Sequence, residues 1–163
     1  SGATAAHDND YQLSLKEIWE ADEFESDLSI HNGSSIAFLL EIDNKKMLFL
    51  GDAHDPVIVN SLRELGFSEA NRLNLDLVKI SHHGSQYNTS SEFLSLIQAS
   101  RYVISTNGLR HGLPNKRAIA RIIKETSGQI FFNYSDVTKS LLLEDEVEDY
   151  ASRFEVLNDE IRL

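Results

Sequence analysis

The chain has 163 residues, 41% of them hydrophobic and 25% charged, enough for one buried core and short of two comfortable domains. Fifteen basic residues stand against 26 acidic ones, a net charge of -11, the wrong sign for a protein that wraps duplex DNA with its whole surface. Cysteine is absent, which excludes thiol ligands, thiol nucleophiles and disulfides and fits a reducing, cytoplasmic setting; no apolar run reaches the length of a membrane span.

Residues 1–30 read as a leading segment, polar over 1–10 and then a short helix from Leu13 to Glu20. Ser35 to Ile42 and Met47 to Leu50 are apolar runs separated by Asp43-Asn44-Lys45-Lys46, which signals a β-hairpin. Asp55-Pro56 supplies an N-cap and a first-turn proline, Ile58, Leu62 and Leu65 follow at helical spacing, and Gly66 is the stop. Leu75 to Ile80 reads as one buried strand, and Thr89 with Glu92 as a capping box ahead of Phe93, Leu94 and Ile97. Tyr102 to Ser105 is a strand, and Pro114 opens a helix with Ile119, Ile122 and Ile123 on one face. Gln129 to Asn133 and Lys139 to Leu143 look like two closing strands, and the acidic run Glu144 to Asp149 belongs on the surface of a final segment, 144–163. Strands alternating with helices predict an α/β domain, a mixed β-sheet with flanking helices, over 31–143.

Two features carry chemistry. Arg101, Arg110, Lys116, Arg117, Arg121 and Lys124 fall in a stretch without an acidic residue, a candidate anion site in an otherwise acidic chain. A solvated helix face is the plainer reading. Polar clusters also follow three strands directly: Gly51-Asp52, then Ser81-His82-His83-Gly84-Ser85, then a loop holding His111. Functional groups collect where the strands of α/β proteins end, so Asp52, His82, His83 and His111 are expected on one edge. A carboxylate with imidazoles suits zinc or manganese. On an extended backbone the neighbours His82 and His83 point to opposite faces, so only one of them serves a given metal.

Asn32-Gly33-Ser34-Ser35 before one apolar run, Gly51-Asp52 after the next, Val78-Lys79-Ile80-Ser81-His82-His83-Gly84-Ser85, and His111 with Pro114 three positions on together resemble the metallo-β-lactamase fold hydrolases, in their ComEC-type branch. The resemblance spans roughly residues 28 to 133. It implies a four-layer αββα sandwich with two zinc or manganese ions at one edge of its sheets. By that resemblance Asp52 bridges both ions and His83 is a metal ligand, although which of His82 and His83 binds metal stays open. His82 and His111 are the catalytic candidates, the first for proton transfer and the second approaching the scissile group. Asn32, Ser85, Arg110 and Arg117 are the candidate substrate contacts, and His31, beside Asn32, is a further candidate ligand.

The family's His-x-His-x-Asp-His motif is missing, so the chain is expected to be the carboxy-terminal half of such a hydrolase: a fragment, one part of a split protein, or a degenerate member. The expected partners are the amino-terminal half, a phosphate-containing substrate or a second copy in a homodimer, and no membrane. The apolar face of Ile36, Phe38, Leu40 and Leu48 is expected to stand open where the other half would pack. The complete protein would be a metal-dependent phosphodiesterase or nuclease. The alternatives are a lactone or ester hydrolase of the same fold, or a non-catalytic, partner-binding half-domain.

Overall fold

The computed structural model describes residues 9–106, 112–157 and 160–163. The elements in chain order are α1 (Leu15–Ala21), α2 (Ile30–Gly33), β1 (Phe38–Ile42), β2 (Lys45–Phe49), α3 (Asp55–Glu64), β3 (Leu73–Leu75), β4 (Leu77–Lys79), α4 (Ser91–Leu96), β5 (Ile97–Ala99), β6 (Arg101–Ile104), α5 (Lys116–Glu125), β7 (Gln129–Phe132), α6 (Ser135–Leu141), α7 (Val147–Tyr150) and β8 (Phe154–Val156). Short 3-10 turns occupy Ser81–Gly84, Glu144–Glu146 and Ala151–Arg153. Six strands make a mixed sheet in the order β1-β2-β4-β6-β7-β8, antiparallel between β1 and β2 and parallel elsewhere. β3 and β5 pair in a separate parallel ribbon. This is the α/β architecture that the alternation predicts.

Strand alternation sorts the sheet into two unlike faces. Leu48, Val78, Tyr102, Ile104, Ile130 and Phe132 share one face and are all 6% exposed or less. They join a single core cluster with Leu15 and Ile18 of α1, Val59 and Leu62 of α3, Phe93 and Leu94 of α4, Ile119 and Ile122 of α5, and Val137 and Leu141 of α6. The helices therefore lie on that side. The register partners on the other face are Phe38, Leu40, Ile42, Met47, Phe49, Leu77, Lys79, Val103 and Phe131, and none of them belongs to the cluster. Phe38, Leu40 and Ile42 are 50%, 41% and 54% exposed. Ile36, Phe38 and Leu40 are open as expected, but Leu48 is not: it pairs with Leu39 and faces the helices.

Several expected elements are corrected. Lys139 to Leu143 is not a strand; residues 135–141 form α6, because Val137 and Leu141, four apart, both reach the core. Leu75 to Ile80 is two strands, broken at Asp76, whose carboxylate accepts from Lys46 N at 2.9 Å. Ser90, not Thr89, caps α4, accepting from Phe93 N at 2.9 Å. Asp55 is the first residue of α3 rather than its cap, and its buried carboxylate accepts from Ser90 N and Oγ, both at 2.7 Å, tying α3 to α4. Burial raises the Asp55 pKa against the pull of those bonds.

The leading segment is built into the same core. Asp10 accepts from the amides of Lys116 and Arg117 at 2.7 and 2.8 Å, satisfying free donors at the start of α5. Trp19 Nε1 donates to Ala120 O at 2.8 Å, and Asp22 takes both ends of the Arg121 guanidinium at 2.7 and 2.8 Å. The acidic run does not lie wholly on the surface either. Glu146 is 7% exposed and accepts from Lys116 Nζ at 2.7 Å, from Leu143 N at 2.9 Å and from Leu15 N.

Candidate active site

Asp52, His82 and His83 stand just beyond the ends of the adjacent parallel strands β2 and β4, so the topology brings them to one edge of the sheet. The two loops are bonded to one another: His82 N donates to Gly51 O at 2.9 Å and Ser81 Oγ to Ala53 O at 2.9 Å. Gly51 makes the turn after β2 at φ +55, in the left-handed region, where a Cβ would lie 2.5 Å from Ser35 Oγ. That hydroxyl also receives the Asp52 amide at 2.9 Å. The Asp52 carboxylate is half-buried and accepts no hydrogen bond among the described residues. Its charge opposes the downward pull of burial on the Lys79 ammonium, which sits on the open face of β4.

The histidine pair departs from the expected geometry. His82 and His83 are not extended; both are left-handed, at φ 42 and φ 56. Two successive non-glycine residues there store strain, on the order of 1–3 kcal/mol each. In place of opposite faces, the ring centroids lie 6.2 Å apart. His83 Nδ1 is bonded to the carbonyl of Ser105 at the end of β6, so Nδ1 carries the proton and Nε2 keeps its lone pair. A ring held by its far nitrogen on a backbone carbonyl is how metal-binding histidines are oriented. Gly84 follows at φ +82 and packs against Pro114, whose Cβ would lie 2.7 Å from an added Cβ. Asn115 N donates to Gly84 O at 3.0 Å, docking the start of α5 on this turn.

Behind His82 lies a polar cluster that the motifs do not announce. Asp27 Oδ2 accepts from Asn32 Nδ2 at 2.6 Å and from Asn88 Nδ2 at 3.2 Å, and stands 3.7 Å from His82 Nδ1. Asn88 Oδ1 is 3.1 Å from the same His82 nitrogen. Asp27 Oδ1 caps Ser29 N at 2.8 Å and faces His54 Nε2 at 4.0 Å, while His54 Nε2 is bonded to Ser29 O at 2.8 Å. Burial works to raise the Asp27 pKa, but the donors Asn32, Ser29 and Asn88 and the nearby His54 outweigh it and hold it low. The only local sign of Asp27 in the sequence is an Asx turn two residues before an apolar helix start; nothing in the sequence ties it to His82, 55 positions on.

The other candidates fall out differently. The Asn32 amide donates to Asp27 and lies 3.4 Å from His82 Nδ1, so it joins the cluster. Ser85 is 3% exposed and its hydroxyl accepts from Tyr87 N at 3.2 Å, within the turn. His31 is exposed in the last turn of α2. His111 and Arg110 lie outside the described residues. The basic stretch does not form one positive surface: Lys116 and Arg121 are 0% and 2% exposed and bonded to Glu146 and Asp22. A buried cation is tolerated only when paired, so both are structural here. Arg117 lines a polar cavity of about 360 Å³ with Glu23, Glu25 and Tyr87. A mostly apolar cavity of about 290 Å³ opens between β1 and α3, beside Ala53 and His54.

Among the described residues no group of three or more histidine, aspartate or glutamate side chains converges as a metal site. Asp52 and His83 have the right donor chemistry and are too few to close a coordination sphere. No protein-family model matches the chain, no curated protein does, and neither does any solved structure. The functional reading therefore rests on these residues and their geometry.

Proposed function

We propose that the chain is the carboxy-terminal half of a metallo-β-lactamase-fold hydrolase, an αββα sandwich when complete, acting on a phosphodiester. The observation that carries the reading is the edge at the ends of β2 and β4. It brings the Asp52 carboxylate, which accepts no hydrogen bond among the described residues, to the same loops as His83, whose Nδ1 is engaged by the Ser105 carbonyl. The open apolar face of the sheet supports it, since a second sheet packing there would bury Phe38, Leu40 and Ile42.

In this reading Asp52 and His83 hold zinc or manganese ions together with the amino-terminal half, which brings the remaining donors. Such ions, when bound, supply a hydroxide at neutral pH and stabilise charge on the phosphoryl oxygens. Lys79 adds a positive charge beside Asp52. His82, with Nδ1 turned to Asn88, leaves Nε2 to take up a proton and pass it on to the leaving group, and His111, outside the described residues, keeps the role that the resemblance implies.

A second reading has its own support. Lys116 and Arg121 are withdrawn into ion pairs, leaving a thinner positive field for a phosphate, and an apolar cavity adjoins the Asp52 loop. A lactone or ester hydrolase of the same fold fits those two facts. The test joins the chain to a segment bearing His-x-His-x-Asp-His, loads it with zinc or manganese, and compares a generic phosphodiester with a simple lactone. Phosphodiester turnover abolished by Asp52→Ala is expected. Preference for the lactone favours the second reading, and no turnover of either with metal bound leaves a partner-binding half-domain.

A further inference from the structure

His82 sits in a left-handed turn with one ring nitrogen among three polar neighbours, and those neighbours settle its tautomer. Asn88 Oδ1, at 3.1 Å, and Asp27 Oδ2, at 3.7 Å, are both acceptors. Asn32 Nδ2, a donor near the ring at 3.4 Å, gives one of its two hydrogens to Asp27 at 2.6 Å and stands farther from Nδ1 than Asn88 Oδ1 does. Asn88 is fixed in its turn, because it is 2% exposed and its Nδ2 donates to Ala53 O at 3.2 Å as well as to Asp27. With its amide nitrogen so engaged, Asn88 can offer His82 only its carbonyl oxygen. The shorter contact is to an acceptor, so in the neutral ring the geometry favours the hydrogen on Nδ1, with Nε2 as the acceptor.

We propose that Asp27 and Asn88 are positioning residues for His82: they hold it as the Nδ1–H tautomer and turn its Nε2 to the loop edge beside His83. Asp27 orders the arrangement from the leading segment. It binds Asn32, Asn88 and Ser29 at once, so a single carboxylate sets the amides around the ring. His83 reaches the same tautomer by a separate route, through the Ser105 carbonyl. Two neighbouring rings are thus each engaged at Nδ1, by unrelated supports, with no hydrogen bond to either Nε2 among the described residues. The use of His82 in proton transfer rests on the hydrolase reading above; the holding of its ring does not.

The difference in supports supplies the control. Nitrogen NMR of the chain with ¹⁵N-labelled histidine, at a pH where both rings are neutral, reads each tautomer separately. Both rings are expected as Nδ1–H. Asp27→Asn and Asn88→Ala should each move the His82 tautomer ratio on the order of fivefold, the equilibrium weight of one hydrogen bond, and leave His83 unchanged. A variant that merely misfolds would release both rings, and a release of both in each variant would overturn the specific role. His82 found as Nε2–H in the parent chain would overturn the proposal outright. In the reconstituted hydrolase, Asn88→Ala should lower kcat about tenfold or more while leaving KM in place, as loss of an orienting partner does. If the parent hydrolyses nothing while its tautomers are as stated, the functional reading fails and the positioning stands.

Discussion

The two faces of the six-stranded sheet are made of similar residues and differ most at the β1 end, since Leu77 and Val103 of the second face are themselves only 7% and 8% exposed. Val78, Ile104 and Ile130 on one face are 0% exposed under a layer of helices. Phe38, Leu40 and Ile42 on the other are about half exposed, and the Phe38 ring stacks on Phe49 of the neighbouring strand, at 5.1 Å between centroids. Hydrophobicity alone therefore does not tell which strand residue is core; a second layer has to exist for it. A contiguous apolar patch on a sheet is the mark of an interaction surface. The contrast teaches that the helix layer completes the core on one face, while the apolar residues of β1 on the other have no such cover.

The comparison is most easily broken by stability measurements. Ile80→Ala on the covered face removes a side chain that is fully buried and should cost about 2–5 kcal/mol in urea unfolding. Glu146→Ala leaves Lys116 buried without its partner and should cost about 3–5 kcal/mol. An effect below about 1 kcal/mol for either would mean that the helix layer is not the source of stability.

Acid titration sharpens the same contrast, because three carboxyls with perturbed pKa values, Glu146, Asp27 and Asp55, lie under the helix layer and behind the site loops. Burial pushes the Glu146 pKa up, but Lys116 and the Leu15 and Leu143 amides outweigh it, leaving it below the usual carboxylate range. Asp27 is lowered in the same way by its amide donors. A carboxyl depressed in the folded state contributes stability above its unfolded pKa and loses it as pH falls through the folded one. Stability should thus hold down to about pH 4.5 and fall below it, and Glu146→Gln should flatten that fall. Asp55 has the opposite sign: burial raises its pKa, so its contribution is present at low pH and is lost as pH rises through the folded value. A chain equally stable at pH 3 and pH 6 would contradict the Glu146 and Asp27 bonding.

What was legible in the sequence follows the range of the interactions. The hairpin was readable because Asp43 and Asn44 accept positive φ, at 49 and 62, as a tight turn requires. The helix α5 was readable from the spacing of Ile119, Ile122 and Ile123. α6 was misread because Leu141-Leu142-Leu143 looks like a strand run, while its helical signal is only the pair Val137 and Leu141. The basic stretch misled for a physical reason: Lys116 and Arg121 pair with Glu146 and Asp22, 30 and 99 residues away. Asp52, His82 and His83 stood out because they sit at strand ends in a specific order. Asp27 did not, since its meeting with His82 and Asn88 exists only after the leading segment has folded onto the loops, and Asn88, six residues beyond His82, carries no motif of its own.

The smallest expected change in stability belongs to the open face, and it is the most diagnostic. Phe38→Ser and Leu40→Ser together delete apolar surface that is already in contact with water, so the cost should stay within about 1 kcal/mol. The surface behaviour should change instead. Binding of a hydrophobic dye should drop, and any concentration-dependent association seen by sedimentation should weaken, because the patch that drives it has lost two of its exposed apolar residues on β1. If the same double substitution instead costs several kcal/mol, Phe38 and Leu40 are covered in solution by this chain itself, and the open half of the comparison is wrong.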